Sequence, residues 1–532
     1  MKVIKKLLLS VAALTLATTV NVAYSKTPDN MLVIATRIDD ITTLDPGQSF
    51  EIAGSDLLRN VYGRLINFDP ADLSKGYQPD LAESWTVSED GKTVTFKMRS
   101  GVKFHSGNSV TAKDAVFSLQ RAIKLNKTPA FILTQFGFSA DNVEEKVKLI
   151  DDMTFSITTD KKYATSFVLN CFTATIGSIL DQKTVMSHEK DGDMGNDWLK
   201  TNSAGSGAYS VINWKPNESY SLKANPDFYA GAPAMKKVIV RHVTESATQR
   251  LLLEKGDIDI ARKLNPQDIA AVSSKDGIAV DSEMRGRLMY VAFNQKDPFL
   301  SKPKVVEALK HLIDYKGMQD SFLKGQYVIH QAFLPQTYLG EIDDKPFKYD
   351  VDKAKALLKE AGAGEGTKLK IHVRNAQERI EISESIQNTF AKAGIEVSIE
   401  VGTGKQTLSV YRAREHQIYV GAWGPDYPDP NTNAGTFAYN PDNTDEAKAT
   451  GLLAWRNAYA IPEMSKATKA AVQEPDRDKR AAMYQKIQRD HQKNSPFAVM
   501  FQKIEQIGRR DNVKGFSLGS AISNAAYWKV TK

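Results

Sequence analysis

The chain has 532 residues and a formal net charge of +7, from 70 Lys and Arg against 63 Asp and Glu. This length exceeds what one hydrophobic core usually supports, so two or more domains are expected. Basic residues are mixed with acidic ones and form no run of five, which argues against a nucleic-acid or anionic-lipid partner. The small excess of positive charge favours solubility and says nothing about the fold.

The N-terminus predicts a secretory signal peptide over residues 1–25. Three lysines within the first six residues precede an apolar run over 7–20, and Ala23 and Ser25 supply small residues at positions −3 and −1. The run is too short to span a bilayer comfortably. Cleavage before Lys26 would remove three lysines and leave a net charge near +4.

The single cysteine, Cys171, excludes an internal disulfide framework. It does not stand at the cleavage site, so no lipid anchor is expected. The prediction is a freely diffusing protein in the periplasm. Cys171 itself lies in the apolar stretch 167–176, where a buried small hydrophobic residue is expected and a catalytic thiol is not.

Residues 81–121 carry the most specific pattern of the chain. Asp90-Gly91 predicts a two-residue hairpin turn, because both positions tolerate positive φ. The strand that follows alternates apolar and polar residues over 93–98. Thr111 is then predicted as the N-cap of an amphipathic helix, with Asp114 completing a capping box.

This segment closely resembles the signature of the family-5 extracellular solute-binding proteins, the oligopeptide- and dipeptide-binding receptors of ABC transporters. Trp85, the Asp90-Gly91 turn and the stretches 99–104 and 111–114 stand where that family's pattern has them. The glycine loop 203–209 also matches in order and spacing, although a structural turn into a strand is favoured there over ligand contact. Gly63-Arg64 departs from the Glu-Gly that the family often has.

After residue 289 the chain alternates predicted strands and helices. The strands are predicted over 290–294, 369–373, 395–401 and 418–420, and the helices over 304–315, 350–362 and 379–392. Elements of this length in this order indicate a mainly parallel, doubly wound sheet.

The resemblance implies an α/β fold: a two-lobed periplasmic-binding-protein clamshell of class II type with an extra domain. Domain I would be assembled from 26–66, 200–288 and 503–532. Domain II would cover 67–199, and domain III, the opposite lobe, would cover 289–502.

The segment 421–431 holds three prolines, two glycines, two aromatic residues and two carboxylates. Such a composition predicts neither a helix nor a central strand, so a stiff irregular loop is expected after the strand 418–420. A loop beyond the carboxyl end of a strand is where open α/β sheets place their ligands.

The resemblance implies a role for residues in this loop. Asp426 would pair with the ligand's α-ammonium, with Asp429 as the second choice, and Trp423 and Tyr427 would line the apolar part of the cleft. The alternatives are that Asp426 caps its own turn and that the aromatic residues belong to the core. Arg379 would bind the ligand's carboxylate, since Arg suits bidentate capture; the alternative is a solvated surface arginine.

Other chemistries find less support. The GxSxG pattern at 515–519 needs a downstream His, whereas the last His is His491, so a secreted hydrolase is disfavoured. The eight His residues show no metal-site spacing, and neither a metal nor a cofactor is predicted. The glycines at 362–366 end a predicted helix, the reverse of a dinucleotide loop.

The leading prediction is a monomeric periplasmic receptor, without enzymatic activity. It would capture di- or oligopeptides, or related amino-containing solutes, and deliver them to an inner-membrane ABC permease with its ATPase subunits. The same receptor class also takes haem, opines, oligosaccharides or nickel, and these ligands stay open. A chaperone-like binder of unfolded chains is a further alternative.

Overall fold

The computed structural model describes residues 27–69, 72–363, 366–519 and 525–532. The predicted signal peptide lies outside this part of the chain. The strands are β1 (Met31–Thr36), β2 (Ile66–Asp69), β3 (Asp72–Pro79), β4 (Ala82–Val87), β5 (Thr93–Met98), β6 (Val147–Asp151), β7 (Thr154–Thr158), β8 (Tyr209–Lys215), β9 (Ser219–Ala224), β10 (Lys237–His242), β11 (Ile260–Ala261), β12 (Ile278–Phe293), β13 (Tyr327–Ile329), β14 (Thr367–Arg374), β15 (Ile395–Gly402), β16 (Ile418–Trp423) and β17 (Phe497–Arg510).

The helices are α1 (Ile52–Val61), α2 (Ala112–Leu125), α3 (Phe131–Thr134), α4 (Val143–Lys146), α5 (Thr165–Phe172), α6 (Gln182–Met186), α7 (Asn196–Leu199), α8 (Ser246–Lys255), α9 (Pro266–Ser273), α10 (Pro303–His311), α11 (Tyr315–Asp320), α12 (Val351–Glu360), α13 (Gln377–Ala391), α14 (Gly404–Arg412), α15 (Pro430–Phe437), α16 (Leu453–Arg456), α17 (Pro462–Ala471) and α18 (Arg477–Asn494). In the described ranges, no helix combines the length and the apolar character needed to cross a membrane.

One large mixed sheet runs through both lobes, in the order β15-β14-β16-β12-β17-β11-β1-β10-β9-β8, and β13 pairs with β17. The fold is α/β and two-lobed, as predicted. The prediction of a mainly parallel sheet is right for β14, β15 and β16. It is wrong for β12 and β17, which run antiparallel to their neighbours. The chain leaves the first lobe along β12 and returns along β17, so these two strands must run in opposite directions.

The two long strands β12 and β17 connect the lobes. The predicted domain boundaries at 288 and 502 fall inside them, so no linker separates the lobes there. The pairing of β12 with β17 shifts register between Met284 and Leu288, as at a β-bulge. A bulge bends a strand locally, so the register shift marks a bend in the strands that connect the lobes. The division into three domains stays a prediction.

The extra domain contains a small antiparallel sheet in the order β4-β5-β7-β6, against which α2 packs. The predicted capping box of α2 is confirmed, since the Thr111 N–H donates to Oδ2 of Asp114 at 2.9 Å. The predicted two-residue hairpin is wrong. The Ser88 N–H donates to the carbonyl of Thr93, and only Gly91 in this loop has positive φ. The longer loop reverses the chain with only one residue, Gly91, in the left-handed region.

Apolar side chains cover both faces of the sheet formed by β14, β16 and β12. Ile371, Val373 and Val420 belong to the core under α10, α12 and α13. Tyr290 and Tyr419 belong to a second core on the opposite face. A sheet covered on both faces leaves its strand ends as the exposed edge at which polar side chains collect.

The glycine loop 203–209 packs against the end of α1. A Cβ atom on Gly205 would lie 2.1 Å from the carbonyl oxygen of Val61, and one on Gly207 would lie 2.6 Å from that of Asn60. Both positions therefore require glycine for close backbone approach. The structural interpretation of this loop agrees with the geometry.

Candidate functional site

The carboxyl ends of β14 and β16 lie side by side, because the strands are parallel with Ile371 beside Ile418. β1, in the first lobe, belongs to the same large sheet. The pKa of Arg37, just after β1, is raised chiefly by its hydrogen bonds to Asp39 and also by the charge of Glu378 on α13. The two lobes thus meet at the carboxyl edge of the sheet, where open α/β sheets bind their ligands.

The loop after β16 is shorter than the sequence predicts. β16 continues through Trp423, whose backbone pairs with Leu288 of β12. α15 begins at Pro430, where the missing N–H of proline removes no helical hydrogen bond. The prediction that neither strand nor helix forms across 421–431 is therefore wrong at both ends. Only residues 424–429 are irregular.

Asp426 lies in the middle of this irregular stretch, and its side chain is partly accessible to solvent. Its backbone N–H donates to Oγ1 of Thr432 at 2.9 Å, which fixes the turn. Among the described residues, no group donates a hydrogen bond to its carboxylate and no cation pairs with it. Burial raises the pKa of the carboxyl to about 7. A carboxylate held in such surroundings is costly until a cation reaches it.

Asp429, three residues further on, is completely buried and fully partnered. Its oxygens lie 2.7 and 2.9 Å from the two Nη atoms of Arg480 on α18. Oδ2 also accepts from Nδ2 of Asn170 at 3.0 Å, and Oδ1 caps α15 by accepting from the N–H of Asn431 at 2.9 Å. In this conformation neither oxygen is free for a ligand, so ligand binding by Asp429 stays an untested prediction.

The two aromatic residues of the loop differ in their surroundings. The Trp423 ring packs edge-on against Phe437 at 6.4 Å between centroids, and within the described part of the chain its buried Nε1 has no acceptor. Tyr427 is only 3 % exposed and belongs to the core of the extra domain, 6.1 Å from the ring of Phe167. For Tyr427 the geometry matches the alternative of a core residue. Ligand contact by either residue stays a prediction.

The same loop holds the two lobes together. Asn170 and Phe167, which contact Asp429 and Tyr427, both belong to α5 of the extra domain. Next to them, the Ala164 N–H donates to the carbonyl of Val472 at 2.9 Å. These contacts join the extra domain to the part of the chain that carries the loop and α17.

Arg379 lies in the first turn of α13, just beyond the carboxyl end of β14. Its side chain is 7 % exposed, and within the described residues it has no ion pair and no acceptor for Nε. Its pKa is lowered by burial first and by the charge of Arg287 second, while Glu378 acts in the opposite direction. A buried guanidinium with free donors is suited to bind a carboxylate. The alternative of a solvated surface arginine is wrong.

Asp426 and Arg379 are brought to the same sheet edge but not into contact. Asp426 follows β16 and Arg379 follows β14, and among the described residues the two side chains form neither a hydrogen bond nor an ion pair with each other. The two free groups thus stand apart, with opposite charges, as the two ends of an extended zwitterion require.

Sequence reasoning missed the charged groups near Arg379. Nζ of Lys503, on β17, donates to Oε1 of Gln326 at 3.2 Å and lies 4.4 Å from the centre of the Tyr327 ring. Burial, and after it the charge of Lys263, lower the pKa of this amine to about 7. A lysine two residues after the apolar run 497–501 at the start of β17 was the available signal, because a lysine is unusual at this point of a largely buried strand.

The remaining candidates are structural. Cys171 is buried, as predicted, and accepts from Nε2 of Gln135 at 3.4 Å. Nε2 of His105 lies 2.9 Å from the carbonyl oxygen of Gly207. In the described ranges, no three His, Cys, Asp or Glu side chains are grouped so that they could hold a metal ion.

Comparison with known proteins identifies the family. The model of the bacterial extracellular solute-binding proteins, family 5 middle region, matches residues 76–445. The chain belongs to this family. The resemblance that residues 81–121 carry is thereby confirmed. As a family-5 protein it is a solute-binding component of the ABC-importer class, and its family is one of binding proteins.

Curated relatives and solved structures match between 70 and 95 % of this chain. The probable D,D-dipeptide-binding periplasmic protein DdpA of Escherichia coli is 27 % identical over 508 residues, covering 95 % of this chain and 94 % of its own. Heme-binding protein A of Haemophilus influenzae is 29 % identical over 407 residues, covering 70 % of each. The structure of the periplasmic binding protein DppA from Helicobacter pylori, in complex with the peptide STSA, superposes with a TM-score of 0.79. It is 25 % identical and covers 94 % of this chain and 98 % of its own.

Proposed function

We propose that this family-5 protein captures short peptides with a free amino terminus in the periplasm and delivers them to an inner-membrane ABC permease with its ATPases. The observation that carries the proposal is the pair of unpartnered charges at one sheet edge, Asp426 and Arg379. Among the described residues neither has an ion-pair partner. A peptide zwitterion supplies the two complementary charges.

Asp426 binds the ligand's ammonium in this proposal. The backbone at Asp426 is fixed by the hydrogen bond from its N–H to Oγ1 of Thr432. Because burial has raised its pKa to about 7, an incoming cation gains more there than at an exposed carboxylate. Arg379 binds the ligand's carboxylate with its free guanidinium donors, which favour a bidentate geometry.

Closure of the two lobes retains the ligand. A ligand that contacts both lobes only in the closed form shifts the population toward that form. The contacts of α5 with Asp429, Arg480 and Tyr427 belong to the closed arrangement. In this proposal, closure bends the chain at β12 and β17, and the core of each lobe keeps its packing.

Two relatives support peptides as the solute class. The DppA structure from Helicobacter pylori holds a peptide, and the Escherichia coli relative is named for D,D-dipeptides. The relative from Haemophilus influenzae is named for haem. Haem brings no ammonium for Asp426, so the charges of this site favour a peptide.

The test is thermal unfolding of the mature protein with a ligand panel. A dipeptide such as Ala-Ala, at a hundredfold excess over its Kd, should stabilise the folded state by about 2.7 kcal/mol. The panel should include N-acetyl-Ala-Ala, haem, a nickel–histidine complex and an opine. Mass spectrometry of the recovered ligand checks that it is unchanged.

A rise in Tm with Ala-Ala, a much smaller one with the acetylated peptide, and recovery of intact ligand would support the proposal. A rise with haem or with an opine alone would contradict the peptide assignment and leave the receptor class intact. Conversion of any ligand into product would contradict the assignment as a receptor without enzymatic activity.

A further inference from the structure

The region around Arg379 carries more positive charge than its own carboxylates balance. The cationic side chains gathered here, which we call the basic cluster, are Arg262, Lys263, Arg285, Arg287, Arg379 and Lys503. The carboxylates among the described residues that interact with them are Asp56, Glu283, Glu378 and Glu505. The excess is two positive charges with the lysines protonated.

Most pairs within the basic cluster are long. Glu505 lies 3.5 Å from Arg262 and Arg285 and 3.9 Å from Lys263. Glu378 lies 3.9 Å from Nη2 of Arg287. These distances are at or beyond the limit of a hydrogen bond. The guanidinium groups therefore keep donors that a further anion can use.

Accessibility differs across the basic cluster. The side chain of Arg287 is 32 % exposed, whereas that of Arg285 is 7 % exposed. The Arg285 guanidinium is further fixed by donating to the Leu518 carbonyl at 2.6 Å. Lys503 lies next to the Tyr327 ring, whose buried hydroxyl has no partner in the described part of the chain. Glu378, one residue before Arg379, interacts with both Arg287 and Lys503, so these two cations lie around the first turn of α13, where an anion beside Arg379 would meet them.

We propose that the site selects ligands with a second anionic group beside the carboxylate that Arg379 binds, and that Arg287 and Lys503 bind this group. The chemical class is a peptide whose last residue is Asp or Glu, or another amino compound with two neighbouring carboxylates. This inference rests on the proposed function, because it assumes that the first carboxylate binds at Arg379. Two ligand carboxylates balance the excess of two positive charges, while the ligand's ammonium lies at Asp426.

The experiment compares Ala-Glu with Ala-Gln by isothermal titration calorimetry of the mature protein. The two peptides have the same shape and differ by one charge. Ala-Glu should bind at least about tenfold more tightly, as expected for one additional charge-assisted hydrogen bond. Glu-Ala, with its acidic residue at the Asp426 end, should bind no more tightly than Gln-Ala.

Two variants locate the effect. Lys503→Met and Arg287→Gln should each bring the Ala-Glu to Ala-Gln affinity ratio toward one. The matched control is Lys113→Met, which removes a 57 % exposed lysine from α2 of the extra domain and should keep the ratio. Should Lys503→Met fail to fold, Arg287→Gln decides, since its side chain is partly exposed.

Equal affinity of the wild-type protein for Ala-Glu and Ala-Gln would overturn the inference and leave the proposed function standing. An unchanged ratio in both variants would overturn the assignment to Arg287 and Lys503. If neither peptide binds, the proposed function fails, and the inference that rests on it fails too.

Discussion

Two aspartates three residues apart in one loop differ in how their carboxylates are buried and partnered. Asp429 has no solvent exposure, and an arginine, an asparagine and a backbone N–H occupy its two oxygens. Asp426 keeps partial exposure, and among the described residues nothing pairs with its carboxylate. The contacts of Asp429 fasten α18 and α15 to the extra domain, whereas the carboxylate of Asp426 is left without a partner among the described residues.

Within the irregular stretch 424–429, one aspartate contributes to stability and the other is proposed to bind the ligand. A buried charge persists when partners are built around it, and it then contributes to the closed structure. An unpaired carboxylate costs stability, and a ligand that relieves this cost gains affinity. The two residues should therefore respond to substitution in opposite ways.

The largest expected effect concerns the partner of Asp429. Arg480→Met leaves a buried carboxylate without its cation, so the free energy of unfolding should fall by about 3–5 kcal/mol. Urea denaturation measures the loss. The control is Arg477→Met on the same helix, whose side chain is 80 % exposed. Equal stability of the two variants would show that the ion pair of Asp429 and Arg480 is not structural.

The next effect is on binding. Asp426→Asn should weaken the binding of a dipeptide with a free amino terminus by about 2–5 kcal/mol, because the ligand's ammonium loses its counter-charge in a buried place. Calorimetry of the variant removes the carboxylate of this contact, and calorimetry of the wild type with N-acetylated ligands removes the ammonium. Both measure the same contact. Asp478→Asn, at a side chain 95 % exposed, serves as the control. Equal affinity for free and acetylated ligands would remove Asp426 from this role.

A somewhat smaller effect is expected from pH. Asp426 must be ionised to bind an ammonium, and its pKa of about 7 means that it is mostly protonated at pH 5.5. Affinity should therefore fall about twentyfold between pH 7.5 and pH 5.5, at roughly tenfold per unit below the pKa. Calorimetry across this range should show a steep fall for the wild type and a shallower one for Asp426→Asn. Parallel profiles would contradict the assignment.

The smallest effect is a gain in stability. The pKa of Asp426 is raised on folding, so its contribution to stability is fully present below pH 4 and is lost as the pH rises through 7. Without ligand at pH 8, the free energy of unfolding of Asp426→Asn should therefore be about 1–2 kcal/mol higher than that of the wild type. This advantage should shrink toward pH 4.5 in urea denaturation. A variant less stable than the wild type at pH 8 would show that Asp426 has a structural partner.

Much of the fold could be predicted because its signals are local. The alternation over 93–98 and the capping box of Thr111 with Asp114 depend on neighbours in the sequence. The hairpin at Asp90-Gly91 failed because the number of residues in a loop depends on the pairing of the strands it joins. The antiparallel course of β12 and β17 depends on how the lobes connect.

The sequence by itself determined the family, the periodic elements and the loop that holds both aspartates. Only the tertiary structure decided which aspartate is free, because Asp429 finds Arg480 51 residues later in the chain and Asn170 259 residues earlier. Lys503 likewise interacts with Glu378, the neighbour of Arg379 in α13, only because β17 returns between the lobes. Whether a charge is paired depends on distances in space. For residues this far apart in the chain, their spacing in the sequence does not indicate those distances.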